Sequence, residues 1–271
     1  MDIATAQLVT KFLLAAWALL SSAEWLINRA LFRSDGPLSW EVLRLRPGLV
    51  RANGVHTVVY SSPALLVVIA ARATAGIALL VPFSAWLDAA AAGTIFLSCM
   101  YLARRAVFGG DGADQMGMVV ALGLTITSAG IALGDRALAF VGVFAIAAQA
   151  TLAYFIAGAA KLFSAAWRSG HAMPRVMSTR TFGTPLAARI ATTCPRFSHG
   201  LCWFVIVTET LFPLVFFVPP NVAIVALACY ALFHVSNAYF MGLNGFVWSF
   251  LATYPSVMVM NAAARSALGW Q

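Results

Sequence analysis

The sequence predicts an all-α integral membrane protein, a single bundle of about eight transmembrane helices, and three observations carry that prediction. First, the 271 residues are 62% hydrophobic and only 10% charged, where soluble domains carry about 25% charged residues. Second, apolar runs recur along the whole chain, each close to the roughly 20 residues that a helix needs to cross a hydrocarbon core about 30 Å thick. Third, the connections between the runs alternate between long arginine-rich segments and short turns, as loops on opposite sides of a bilayer do. The chain therefore reads as one polytopic membrane domain over 1–271, with no stretch polar enough for a separate soluble domain. The net charge of +8, from 17 Lys+Arg against 9 Asp+Glu, reads as loop charge that sets orientation, not as a nucleic-acid surface.

The first helix is expected over about 5–31 and contains Glu24. No charged–apolar–small pattern of a cleaved signal peptide precedes it, so it is expected to stay. A connection with Arg29, Arg33, Arg44, Arg46 and Arg51 follows, in which Pro37 and Pro47 break any long helix. A second helix over about 64–86 holds Arg72, and a third over about 89–107 ends in Arg104-Arg105. A glycine- and aspartate-rich turn at 109–115 leads to a fourth helix over about 116–134, and Gly134-Asp135-Arg136 connects it tightly to a fifth over about 137–160. The segment 161–199 reads as a long basic amphipathic loop, with Lys161 and five arginines but no acid. Helices over about 201–218 and 222–243, joined by Pro219-Pro220-Asn221, and a last one over about 246–262 complete the set. The basic connections all follow odd-numbered helices, so they share one face, which the positive-inside rule places in the cytoplasm. Cys99 and Cys229 fall within apolar runs as small buried thiols, and the four cysteines show no metal-ligand spacing.

Ionisable groups inside a membrane are functional candidates by default. At about 1.5 Å of rise per residue, Glu24 and Arg72 lie at matched depth, which predicts an ion pair between them. Counted from the turn near residue 220, Glu209 and His234 also come within about 5 Å of a common depth. Tyr230, His234, Asn237 and Met241 recur at helical spacing and share one face. Two readings of this polar set stand: interhelical hydrogen bonding, or the lining of a buried site. Lys161, at the end of the fifth helix, either complements the helix dipole and snorkels, or is a desolvated general base. In the turn, Asp114 reads as the N-cap of the fourth helix, while Asp111 and Asp114 together leave open cation binding or a catalytic carboxylate. Glu24, Arg72, Lys161, Glu209 and His234 are all expected in the same half of the membrane.

Two stretches resemble the vitamin K-dependent γ-glutamyl carboxylases. One is Tyr154-Phe155-Ile156-Ala157-Gly158-x-x-Lys161-Leu162 followed by Trp167, Gly170 and Met173; the other is Phe233-His234-x-x-Asn237 followed by Phe246, Leu251-Ala252 and Pro255. The turn Gly109-x-Asp111-Gly112-x-Asp114-Gln115 is similar to that of the small bacterial relatives, the horizontally transferred transmembrane (HTTM) domain proteins. The resemblance implies that Lys161 is the base that deprotonates a reduced quinone of the vitamin K type. It also implies that His234, Asn237 and Glu209 line the cofactor or substrate pocket. The spacing from Leu162 to Trp167 is one residue longer than in the animal enzymes, and their large extramembrane domain has no counterpart in these 271 residues. The family's lysine faces the lumen, whereas the charge rule puts Lys161 at the cytoplasmic face. The expected function is thus a membrane-embedded, carboxylase- or epoxidase-like lyase using a lipophilic quinol-type cofactor on a small or peptidic substrate, in the inner membrane of a bacterial cell. The catalytic candidates are Lys161 and His234, and the pocket candidates are Glu209, Tyr230, Asn237, Asp111, Asp114, Arg72 and Glu24. No metal and no nucleic acid is expected; the partners are the lipid bilayer and a peptide substrate or soluble redox or maturation protein. The alternatives are a non-enzymatic scaffold in peptide maturation or secretion, and a quinone-coupled redox subunit.

Overall fold

The structure, a computed structural model, describes residues 1–45, 54–82, 84–106 and 110–270. Arg46, Pro47 and Arg51 of the first basic connection and Gly109 of the turn lie outside the described residues. Among the described residues the regular structure is entirely helical, and eight helices are long and apolar enough to cross a membrane. The protein is an all-α, multi-pass membrane protein. Its contacts divide it into two compact units, Ile3–Val143 and Phe144–Gln271 with Met1–Asp2, the boundary falling inside one long helix. Each unit has its own core.

The N-terminal unit comprises α1 (Ile3–Ile27), a 3-10 turn (Arg29–Phe32), the short α2 (Trp40–Leu43) and α3 (Gly54–Val59), α4 (Ser62–Leu79), α5 (Ala85–Arg105), α6 (Gly112–Leu133) and the first turns of α7 (Arg136–Phe163). Local chemistry sets the helix starts. The hydroxyls of Ser61 and Ser84 accept from the backbone N–H groups of Ala64 and Leu87 and cap α4 and α5. At α6 the N-cap is Asp111, not Asp114. Asp111 Oδ1 accepts from the Ala113 and Asp114 N–H groups, while Asp114 reaches back to the Asp111 N–H, closing a reciprocal capping box. The helix therefore begins one turn before the expected start. Gly134 ends it at φ 70°, a left-handed cap that glycine adopts without strain, and Asp135, the next residue, caps α7.

Helices α1, α4, α5 and α6 pack as a ring of neighbours, α1 and α5 each touching α4 and α6. Lipid tails are as apolar as the core, so association rests on close packing, not on removal of water. Trp17 shows how close it is: its indole lies flat against Gly117, where a β-carbon would overlap the ring. Arg105, at the end of α5, is not a loop charge but fully buried. Its Nη1 donates to the Leu38 carbonyl at 3.0 Å and its Nη2 to the Phe32 carbonyl at 3.3 Å, clasping the connection that follows α1.

The C-terminal unit holds the rest of α7, then α8 (Ala165–Arg168), α9 (Ala172–Met177), α10 (Pro185–Thr193), α11 (Pro195–Leu211), a 3-10 turn (Phe212–Phe216), α12 (Pro220–Met241), α13 (Asn244–Leu251) and α14 (Tyr254–Ala267). The segment 161–199 is thus a chain of short helices and not the expected loop. Thr184 caps α10 through the Ala187 N–H, with Pro185 in the first turn, where its missing N–H costs nothing. The Ser198 hydroxyl then donates to the Ala191 carbonyl at 2.8 Å and ties α10 to α11.

Two prolines interrupt the expected helices. Pro213 cannot donate to the Glu209 carbonyl, and the end of α11 tightens into a 3-10 turn. Pro255 cannot donate to Leu251, and the last span breaks at Ala252–Thr253 into α13 and α14. Asn261 of α14 donates from Nδ2 to the Val215 and Val218 carbonyls, at 2.8 and 2.9 Å, satisfying backbone groups that the broken helix leaves open.

Candidate functional site

The site belongs to the C-terminal unit and starts from the spacing of α7. Tyr154, Ala157 and Lys161, at i, i+3 and i+7, fall on one face of that helix. Gly158 lies beside them, and α11 passes so close that a β-carbon there would overlap the Thr210 backbone nitrogen. This approach places Glu209 of α11 opposite Lys161. Lys161 Nζ stands 2.5 Å from Glu209 Oε2, with a longer contact of 3.4 Å to the Ala157 carbonyl. It also lies over the Trp167 ring of α8, 5.2 Å from the centroid. The Glu209 side chain is 7% exposed and that of Lys161 20%. Lys161 therefore neither snorkels freely nor stands alone; it is one half of a largely buried ion pair.

Two turns back along α7, at Tyr154, His234 of α12 is buried, with its Nε2 2.6 Å from the Tyr154 hydroxyl. That hydroxyl also lies 3.0 Å from the hydroxyl of Tyr254 at the start of α14. The imidazole is stacked on Phe250, with Phe246 beyond. Its Nδ1 is buried without a hydrogen-bond partner. If Nε2 accepts from Tyr154, Nδ1 carries a proton with nothing to receive it; in the other tautomer it is a bare acceptor. A buried polar atom without a partner in a membrane interior is costly, and here it belongs to a residue that lines a cavity.

The cavity measures about 280 Å³, and Lys161, Glu209, His234, Asn237, Tyr154 and Trp167 are among the residues that line it. An apolar groove of about 470 Å³ adjoins it, with Met173, Met177, Phe233 and Asn237 shared by both walls. A largely apolar chamber holding an acid, a cation and an unpartnered imidazole nitrogen thus adjoins a greasy groove. Among the described residues no group of His, Cys, Asp and Glu has metal-binding geometry.

Comparison with protein-family models, with curated proteins and with solved structures finds no match. The site must be read from its own geometry.

Four of the residues singled out from the sequence, Lys161, Glu209, His234 and Asn237, meet at this cavity. Tyr230 does not line it; its hydroxyl donates to the Thr208 carbonyl and its ring packs on Tyr154. The matched depth of Glu209 and His234 does not become a bond: the first pairs with Lys161, the second with Tyr154. The remaining candidates belong to the N-terminal unit. Arg72, Asp111 and Asp114 line a separate cavity there, and Glu24 is exposed nearby, within electrostatic range of all three. The expected Glu24–Arg72 ion pair does not form. Arg72 turns instead over the Trp17 ring, 4.4 Å from its centroid. Cys99 is buried as expected, but Cys229 is exposed on the face of α12.

Residues that sequence reasoning passed over also emerge. Tyr154 joins two polar side chains, although only its place in a motif had drawn notice, and Tyr254 had none. In the N-terminal unit, Lys11 Nζ lies 3.1 Å from both carboxylate oxygens of Asp88, and Gln7 bridges Asp88 and Ser128 at 2.8 and 3.2 Å. The signal was present, since a lysine and an aspartate inside apolar helices require partners.

Proposed function

We propose that the protein is a membrane-embedded enzyme related to the vitamin K-dependent carboxylase/HTTM superfamily, acting in a bacterial cell membrane on a small or peptidic substrate with a lipophilic quinol-type cofactor. The observation that supports this best is the adjoining of the two spaces. The chamber with Lys161, Glu209, His234 and Asn237 adjoins an apolar groove, so one amphiphile can lay a polar ring in the first and an apolar tail in the second. The residues fit such a ring: the His234 Nδ1 is buried and unpartnered, and Asn237 lines the same cavity with an amide suited to its oxygens. When bound, the quinol supplies an acidic hydroxyl and two reducing equivalents.

The chain supplies the proton handling. Lys161 as a free amine takes a proton at Nζ. Glu209, 2.5 Å away, receives the lysine's own proton beforehand. The first transfer, from Lys161 to Glu209, leaves the net charge of the pair unchanged; when Nζ then takes the ligand's proton the pair carries one positive charge, balanced by the oxyanion left on the ligand, in a membrane interior where isolated charge is penalised most. His234 is held by Tyr154 and by its stack on Phe250, which also keeps water from one wall of the chamber.

A specific observation favours a second reading. The contacts of Lys161 with Glu209, the Ala157 carbonyl and Trp167 would serve equally well as a staple between helices, as in a non-enzymatic scaffold. Detergent-purified wild type, extracted and examined by mass spectrometry, is expected to carry isoprenoid quinone, and Lys161→Ala to retain it. Wild type is expected to consume reduced menaquinone in an oxygen-dependent reaction, and the mutant to lose that activity. Absence of both quinone and consumption in well-folded wild type would leave only the scaffold. Retention of quinone with full turnover in Lys161→Ala would remove the lysine from the chemistry and favour the redox-subunit alternative.

A further inference from the structure

The N-terminal unit has a polar cavity that the proposed function does not use. It measures about 200 Å³, and its lining includes Trp25, Arg72, Asp111, Asp114 and Gln115. Arg72 rises from the middle of α4 and is 1% exposed. Its Nε and Nη2 are buried and have no hydrogen-bond partner, and no carboxylate among the described residues pairs with it. The Trp17 ring covers its face. Stacking of that kind acts on the π-face of a guanidinium and leaves the in-plane N–H donors unserved. Glu24 and Asp114 lie in electrostatic range of this buried cation but accept none of its hydrogen bonds, so its in-plane donors stand open to an acceptor group.

The opposite wall carries the opposite charge. Asp111 spends Oδ1 on the cap of α6, and Asp114 spends Oδ2 on the Asp111 N–H. The second oxygen of each accepts no hydrogen bond among the described residues. Two half-used carboxylates on the rim, with Glu24 in electrostatic range, would repel a simple anion. The cavity thus asks for a negative group at its buried end and a positive, hydrogen-bond-donating group at its rim. A lone anion meets the aspartates, and a lone cation meets the arginine.

From this we infer a second ligand site, specific for a small zwitterionic group with an anionic phosphate or carboxylate set on Arg72 and a primary amine set on Asp111 and Asp114. Two sources offer that chemistry: the headgroup of an ethanolamine phospholipid, and a free zwitterion such as phosphoethanolamine or an amino acid. Arginine suits the role because its planar fork binds phosphate or carboxylate through two donors at once.

The test uses the full-length protein. In the first arm, native mass spectrometry follows retention of phosphatidylethanolamine against phosphatidylglycerol from an equimolar mixture. In the second, titration calorimetry in lipid-free detergent uses O-phosphoethanolamine, glycine, inorganic phosphate and ethanolamine. Wild type should prefer phosphatidylethanolamine, phosphoethanolamine or glycine over the single-charge probes by at least tenfold. A lipid preference without binding of free zwitterions assigns the headgroup, and the reverse assigns the soluble ligand. Arg72→Met should lose this binding at least tenfold without a lower melting temperature, because it removes a buried charge whose Nε and Nη2 make no hydrogen bond within the protein. Should Arg72→Met fail to fold, the rim variant Asp114→Asn carries the test, with the amine preference narrowing at least threefold. Wild type without preference, Arg72→Met with wild-type binding, or Asp114→Asn with an unchanged ratio would each overturn the proposal.

Discussion

Removal of the Glu209 carboxylate while Lys161 remains should be among the most damaging single changes in the C-terminal unit. The pair is short, at 2.5 Å, and Glu209 is 7% exposed, so Glu209→Leu leaves an ammonium facing apolar walls. Breaking one side of a buried ion pair costs about 3–5 kcal/mol. Two features place this case at the lower end, about 3 kcal/mol: Lys161 keeps a fifth of its side chain exposed, and Trp167 offers a residual cation–π contact. Lys161→Met should lose a similar amount, because the carboxylate is then the stranded charge. The double variant Lys161→Met/Glu209→Leu removes both charges and fills the space, and such replacements are often neutral or better. It should therefore fall within about 1 kcal/mol of wild type, whereas additivity would have it lose about 6 kcal/mol. Equilibrium unfolding of the four purified proteins in detergent–SDS mixtures gives the cycle directly. A Glu209→Leu loss under about 1 kcal/mol, or a double variant that simply sums the singles, would refute the claim that these two residues form a coupled, desolvated pair.

Four further outcomes follow from the geometry. Tyr154→Phe removes the hydroxyl between His234 and Tyr254 and should cost about 1–3 kcal/mol, read in the same unfolding assay. Gly158→Val forces α7 away from the Thr210 backbone, and a distance measurement between spin labels on α7 and α11 should show the separation. Lys11→Met and Asp88→Asn should each destabilise by about 3 kcal/mol while Lys11→Met/Asp88→Leu recovers most of the loss, checked by thermal unfolding. Asp111→Ala breaks the capping box of α6 and should cost about 1 kcal/mol, whereas Asp114→Ala should cost less; hydrogen exchange at the start of the helix separates the two.

The helices were legible because lipid demands long apolar runs, and eight such runs stand out whatever their sequence details. Helix ends were less so. Aspartates at 111 and 114 are both competent caps, and only the reciprocal pattern, an acid three residues after the cap, decides for the first. In the segment 161–199, charge drew attention away from Thr184-Pro185, a helix-start signal as plain as any in the chain.

The site was half legible, for a geometric reason. Counting residues from a turn gives depth along a helix but not the direction a side chain faces, and one residue of error turns it by about 100°. Matched depth suggests a meeting of Glu209 and His234, which line one cavity but do not bond to each other. The 3-10 turn after Leu211 and the close approach at Gly158 decide instead that Glu209 faces Lys161. Lys11 and Asp88 are 77 positions apart, and nothing local in the chain marks them as partners.

Arg105 has a consequence for how the N-terminal unit meets the membrane surface. A guanidinium fully enclosed and bonded to two carbonyls is withdrawn from the bilayer's own electrostatics. In the folded protein it is not available to anionic lipid headgroups. Arg33 and Arg44 are partly neutralised by Asp35 and Glu41. Among the described residues, contact with those headgroups at this end of the unit falls mainly to Arg29 and Arg104, which are exposed and carry no acidic partner.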